Sequence, residues 1–148
     1  MRIIAGEFRG RVLKSPPDLK TRPTSDRLRE TLFNIIAPHI DEETRFLDLC
    51  AGTGAIGIEA LSRGAAFVTF VDKSKRSCAL IEENLEILSI PDESTELFNL
   101  EAETFTGREH TKTWNIAYYD PPYDADYSLV MHEFGANATL LAEDGLLI

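Results

Sequence analysis

The sequence predicts an α/β fold built on a parallel sheet with right-handed crossovers. Three observations predict it. Short apolar runs alternate with stretches of helical periodicity. The first main run, Phe46 to Cys50, passes into a glycine turn, Ala51-Gly52-Thr53-Gly54-Ala55-Ile56-Gly57, that opens straight into a helix. Three further runs end in an acid or are followed by one: Asp72, Glu101 and Asp120. Residues that follow strands of a parallel sheet share one edge, and ligands of open α/β sheets bind there.

Residues 1–13 read as a short hairpin, two apolar pieces around a turn carrying Gly6 and Gly10, with Arg9 and Arg11 projecting from it. Pro16, Pro17 and Pro23 make residues 14–24 an irregular connector. A hairpin and basic arm (1–24) therefore precede a main domain (25–148). A helix begins near Thr24 or Ser25, sets Leu28, Leu32, Ile35 and Ile36 on one face, and ends at Pro38. Arg22, Arg27 and Arg29 cluster around its start, where they serve phosphate contact or solubility.

Phe46–Cys50 is the first strand of the main sheet, and the helix after the glycine turn runs to about Arg63. Phe67–Asp72 is the second strand, and the helix after it spans about Lys75 to Leu88, with Ile81, Leu85 and Leu88 inward. Glu96–Leu100 is the third strand, ending at Glu101-Ala102. Residues 103–112 are a polar connection with one helical turn. Trp114–Tyr119 is the fourth strand, a helix follows from about Tyr127 to Asn137, and Gly145–Ile148 opens a fifth strand.

The chain has 148 residues, a single-domain length with enough apolar residues for one core. No stretch is apolar enough to span a bilayer, and Cys50 and Cys78 are too few for a disulfide framework, so the composition fits a cytoplasmic protein. The net charge of −10 is unevenly spread. Residues 1–29 hold eight Lys or Arg against three acids, whereas the remainder holds seven against 22. A basic arm on an acidic body suits a chain that touches a polyanion with one end. The three histidines are scattered without metal-ligand spacing, so no metal is expected.

Asp120-Pro121-Pro122-Tyr123 carries the clearest chemistry. The two prolines forbid helix and ladder pairing, so the fourth strand stops at Asp120. A carboxylate, a stiff backbone with free carbonyls and an aromatic ring then stand at a strand end. An exocyclic amine of a nucleobase is a poor nucleophile because its lone pair is delocalised. Asp120 and the Pro121 carbonyl can accept its two N–H groups and stabilise the positive charge of attack. Tyr123 can stack on a base taken out of its helix.

Gly52, Gly54 and Gly57 match a dinucleotide-binding pattern, and Asp72 follows Gly54 by 18 residues, where an acid would hold ribose hydroxyls. Both a nicotinamide dinucleotide and S-adenosylmethionine fit such a turn. Asp48, inside the strand before the turn, favours the second. Its charge would oppose a pyrophosphate but help a sulfonium and an ammonium.

Asp48-Leu49-Cys50-Ala51-Gly52-Thr53-Gly54 together with Asp120-Pro121-Pro122-Tyr123 resembles the class I S-adenosylmethionine-dependent methyltransferases that modify exocyclic amines. Met1–Gly6, Arg9-Gly10-Arg11, the stretch from Arg22 to Asn34, and Gly57–Ala65 are similar to the bacterial RsmD family, over essentially the whole chain. The resemblance implies a Rossmann-like class I methyltransferase sheet, mostly parallel, and methyl transfer to N2 of a guanine in 16S ribosomal RNA, free or within the 30S subunit or its assembly intermediate. It implies that Asp48, Ala51, Gly52, Thr53 and Gly54 hold the methionine part of the cofactor, that Asp72 holds the ribose, and that Glu101 and Ala102 lie beside the adenine. Asp120, Pro121, Pro122 and Tyr123 would hold the acceptor base, and Thr24 and Asp26 would border the site. Arg9, Arg11, Arg22 and Arg27 would contact RNA. Glu101 stands where such enzymes often carry Asp or Asn. The family's sheet continues after the fifth strand with an antiparallel pair that is expected to be missing here. Other readings are an adenine-N6 or cytosine-N4 methyltransferase, a nicotinamide-dependent oxidoreductase and a non-catalytic RNA-binding protein.

Overall fold

Apolar residues on both faces of its central strands dictate a sheet covered on both sides. The computed structural model describes residues 1–16 and 23–148, and the side chains of residues 23–25 lie outside that description. Helix α1 (Pro23–Ile36) leads into β1 (Arg45–Leu49), α2 (Ala55–Ser62), β2 (Phe67–Asp72) and α3 (Lys75–Ile87). Then come β3 (Thr95–Asn99), α4 (Ala102–Thr106), β4 (Trp114–Tyr119), α5 (Ser128–Ala136) and β5 (Leu141–Leu147). The spatial order is β3-β2-β1-β4-β5, with every neighbouring pair parallel. The chain winds outward from β1 to β3 and returns to β4 on the other side of β1. The order therefore reverses between β1 and β4, which places a ligand crevice at their carboxyl ends.

Alternating strand residues build two cores, one on each face. Phe46, Val68, Phe70 and Ile116 pack with Ile58 of α2 and Ile81 of α3. Leu47, Leu49, Val71 and Ala117 pack with Phe105 of α4 and Val130 of α5. Gly57 lets α2 lie close on β2, since a Cβ there would stand 2.4 Å from Cε1 of Phe70. Among the described residues no helix is long and apolar enough to cross a membrane.

Residues 1–13 form the expected hairpin, narrow and closed by the antiparallel bridge of Arg2 with Val12. Its Ile3 and Leu13 are buried in the first core. The carboxylate of Glu59, fully buried on α2, accepts the N–H groups of Ile4 at 2.9 Å and Ala5 at 3.1 Å. Ser62 accepts from Phe8 N–H and donates to Ala5 O. Gly6, at φ +85°, passes so close that a Cβ would stand 1.8 Å from Ser62 O. The hairpin is thus latched to the end of α2.

Two expectations are corrected. The buried stripe of α1 is Arg29, Phe33 and Ile36, while Leu28 and Ile35 are exposed. Leu28, Leu32 and Ile35 form the adjacent stripe, one residue back, and Leu28 and Leu32 line a cavity instead of the core. Arg29 is accordingly no surface cation. The fifth strand begins at Leu141, four residues earlier than its apolar end suggests. Glu143 and Asp144 are exposed and interrupt the pattern, and the pairing with β4 shifts register between Trp114 and Ile116.

Candidate active site at the carboxyl edge of the sheet

The turn after β1 is held open by backbone geometry. Cys50, Gly52 and Gly54 all adopt positive φ, at 57°, 59° and 81°. For Cys50 this left-handed conformation is unfavourable, and surrounding hydrogen bonds fix it. Ala51 N–H donates to Val71 O at 3.0 Å, and Gly54 N–H to Ala51 O at 2.8 Å. Gly52 N–H donates to Asp72 Oδ2 at 2.9 Å, and Asp72 Oδ1 accepts Ser74 N–H at 2.9 Å. Ser74 in turn caps α3 by accepting from Ser77 N–H. Asp72 therefore holds the turn leading into α3, and the same carboxylate ties β2 to the glycine turn.

Asp48 is 1% exposed, and its Oδ2 accepts Gly57 N–H at 3.0 Å. Burial pushes its carboxyl well above the usual carboxylate range. The Gly57 hydrogen bond opposes that, and the charges of Asp72 and Asp120 reinforce it. The same surroundings push the Cys50 thiol up to about 12, chiefly through burial and then through Asp72 and Asp48. The phenol of Tyr118 is likewise raised, by burial first and then by Asp120 and Asp48.

Two cavities open along this edge. One, of about 670 Å³, lies among Asp72, Lys73, Glu101, Ala102, Glu103 and Pro121. The other, of about 600 Å³, lies among Met1, Leu28, Leu32, Asp48, Gly52 and Ile56. Cys50 and Asp120 line both. The first cavity combines apolar walls, Val71, Leu100 and Ala102, with the charged groups of Asp72, Lys73, Glu101, Glu103 and Asp120. The second is largely apolar, with acids at one side.

The structure brings Asp48, Ala51, Gly52, Thr53, Asp72, Glu101, Ala102, Asp120, Pro121 and Pro122 to these two cavities. Gly54 supports the turn from beneath, its Cα facing Ile81 and Ile58. Tyr123 is fully exposed and lines neither cavity. Glu101 is the N-cap residue of α4 but gives no side-chain cap. On the arm, Arg9 and Arg27 are exposed. Arg11 also lies at the surface, but its Nη2 donates to Ile87 O at the end of α3. Arg22 and the side chain of Thr24 lie outside the described residues.

Three residues of this region, Met1, Tyr118 and Asn84, escape the sequence patterns. Met1 and Tyr118 line the second cavity. Asn84, fully buried, accepts Lys14 N–H and donates to Lys14 O and Thr53 O, so it anchors the glycine turn and the arm together. Arg29 lines the second cavity from α1. A polar residue on an apolar helical face is the only trace that Glu59 and Asn84 leave in the sequence.

The family profile described as Conserved hypothetical protein 95 matches residues 1–148. A protein of Bacillus subtilis (strain 168) named as a candidate rRNA methyltransferase, YlbH, is 33% identical over 150 residues, covering all of this chain and 80% of that protein. Ribosomal RNA small subunit methyltransferase D of Escherichia coli (strain K12) is 41% identical over 123 residues, covering 83% of this chain. The match spans only 60% of that relative's length. A solved structure from Escherichia coli, described as a candidate methyltransferase, yhhF, superposes with a TM-score of 0.86 at 34% identity. It covers 99% of this chain and 78% of that one.

Proposed function

The chain belongs to the Conserved hypothetical protein 95 family, of the RsmD methyltransferase type, and on that premise we propose that it methylates the exocyclic N2 of a guanine in 16S ribosomal RNA. The methyl donor in this reading is S-adenosylmethionine, and the substrate is the RNA itself, in the 30S subunit or an assembly intermediate, in the cytoplasm. The observation that carries the reading is the position of Asp120. It is the one acid that lines both cavities, directly before the two prolines that end β4.

The residues present fit that cofactor. The charged lining of the two cavities is mainly acidic, with Asp48, Asp72, Glu101, Glu103 and Asp120. Such a lining favours a sulfonium and an ammonium and opposes a pyrophosphate. S-adenosylmethionine supplies, when bound, an electrophilic methyl group on its sulfonium. Asp72 and Glu101 would hold its nucleoside part in the larger cavity, and Asp48 with the Ala51–Gly54 turn its amino-acid part.

Asp120 and the Pro121 carbonyl accept the N–H groups of the acceptor amine. That localises its lone pair and stabilises the charge that builds on nitrogen. The carboxylate also gives the departing proton a place to go. Tyr123, free of the fold, stacks on the base. Arg9 and Arg27 contact RNA phosphates, with Arg11 and Arg22 beside them on the arm.

The experiment is transfer of labelled methyl from S-adenosylmethionine to 30S particles or 16S rRNA lacking the modification, followed by nucleoside digestion. A single N2-methylguanosine per RNA is the expected product. Label on adenine or cytosine would overturn the guanine assignment, and no transfer by a chain that still binds the cofactor would overturn the activity.

A further inference from the structure

Arg29 is a cation that the fold leaves incompletely used. It is 4% exposed, on the inner stripe of α1. Its Nη2 donates to Asp26 Oδ1 and to Arg2 O, both at 2.7 Å. Its Nε and Nη1 are buried and meet no acceptor among the described residues. Buried donors without acceptors are costly, and a guanidinium cannot shed its proton to avoid that cost. The same residue lines the second cavity, with Asp120 and Tyr118.

Three observations say what would satisfy it. Asp26 already neutralises the charge, so the remaining N–H groups call for a neutral acceptor. Asp48 and Asp120 line the same space and repel a phosphate. Much of the remaining lining, with Met1, Leu28, Leu32 and Ile56, is apolar and suits the faces of an aromatic ring.

Resting on the methyl-transfer reading above, we propose that Arg29 selects the acceptor base by donating to O6 of the guanine whose N2 is held at Asp120. O6 and N2 flank N1 on one edge of guanine, so one base can reach both residues. Adenine presents an amino group at position 6. Its N–H groups would face those of Arg29 and leave both unpaired. Sites built to hydrogen-bond a substrate group reject analogues that lack it far more strongly than apolar pockets do.

The test replaces the methylated guanine in 16S rRNA by 6-thioguanine, which keeps N1–H and the N2 amine but offers a weak acceptor, and by 2,6-diaminopurine, which offers a donor. Each RNA is assayed with the unaltered chain and with Arg29→Met and Arg29→Lys. Binding of S-adenosylhomocysteine is followed alongside. For the unaltered chain, kcat/KM should fall in the order guanine, thioguanine, diaminopurine, by at least about 100-fold overall. Arg29→Met should compress that range below about tenfold with cofactor binding kept, and Arg29→Lys should restore part of it.

Equal use of guanine and diaminopurine by the unaltered chain would overturn the proposal whatever the variants do. So would a uniform loss across all three RNAs in Arg29→Met. A uniform loss with weakened S-adenosylhomocysteine binding would assign Arg29 to the cofactor, and one with a shallower salt dependence would assign it to a phosphate. No transfer to any of the RNAs, guanine included, would overturn the methyl-transfer reading and the proposal with it.

Discussion

Gly52 donates its backbone N–H to Asp72 Oδ2 at 2.9 Å, so the turn after β1 and the acid ending β2 form one unit. Asp72 also accepts Ser74 N–H with its other oxygen. Asp72→Ala orphans both donors. It should cost about 1–3 kcal/mol of stability and weaken S-adenosylmethionine binding at least roughly tenfold, since the turn loses its anchor and the proposed ribose contact goes with it. Urea unfolding and calorimetric titration measure the two effects. Loss of affinity with unchanged stability would mean that the turn does not depend on the carboxylate.

Asp120 is exposed and its side chain makes no hydrogen bond or ion pair among the described residues. Asp120→Ala should therefore leave the melting temperature and S-adenosylhomocysteine affinity within about threefold of the parent while lowering methyl transfer by at least 100-fold, on the order of removing one preorganised acceptor from the reacting centre. Single-turnover transfer measures this, and a variant that retains full activity would refute the role.

Asp48 gives a pH prediction. Burial raises its carboxyl above the unfolded value, so the folded state holds the proton more tightly than the unfolded chain. The proton-linked stability is complete below the unfolded pKa of about 4 and is lost as pH rises toward the folded value. Asp48→Asn removes the charge and can still accept Gly57 N–H. The variant should melt a few degrees higher at pH 7, show a flatter melting profile above about pH 4, and bind S-adenosylmethionine more weakly. Parallel melting profiles for the two proteins would contradict this account of Asp48.

The fold was legible wherever burial follows period. Phe67–Asp72 and Trp114–Tyr119 are strands with the bounds that their apolar runs predict, and α3 and the glycine turn follow the same logic. The β5 start was hidden because a strand paired on one side only tolerates the exposed Glu143 and Asp144. The buried stripe of α1 was misread by one residue because it contains Arg29, and hydropathy excludes an arginine from a core. Asp48, Asp72 and Asp120 were legible as site residues because each ends or interrupts an apolar run. Glu59 and Asn84 were not, because the backbone groups of the arm that they bind lie 54 or more residues away in the chain.

Glu59 tests that arm directly. Its carboxylate serves Ile4 and Ala5 N–H and pairs with Arg63 Nε at 2.9 Å. Glu59→Ala leaves two backbone donors and a largely buried cation unpaired, which should cost about 3 kcal/mol. Hydrogen exchange at Ile4 and Ala5 should accelerate ahead of the sheet. Unchanged protection there would show that Ser62 and the buried Ile3 and Leu13 hold the hairpin without Glu59.

Arg9 and Arg11 differ in their freedom. The Arg9 side chain makes no hydrogen bond or ion pair among the described residues, whereas Arg11 is engaged with Ile87 O. Arg9→Glu should therefore weaken RNA binding and lower the salt slope by about one phosphate contact, and Arg11→Glu should act more through the end of α3, lowering stability as well. Affinity measured across a salt series separates them, and an unchanged slope for Arg9→Glu would remove the arm from the RNA interface.

The most direct measurement is a crystal structure of the chain with S-adenosylhomocysteine. Adenine should lie in the cavity of Glu101 and Ala102, ribose at Asp72, the sulfur between the two cavities beside Cys50 and Asp120, and the amino-acid part at the Asp48 side of the second cavity, whose Leu28 and Leu32 side stays open for the base. Adenine in the cavity of Leu28 and Leu32, or a sulfur remote from Asp120, would contradict it.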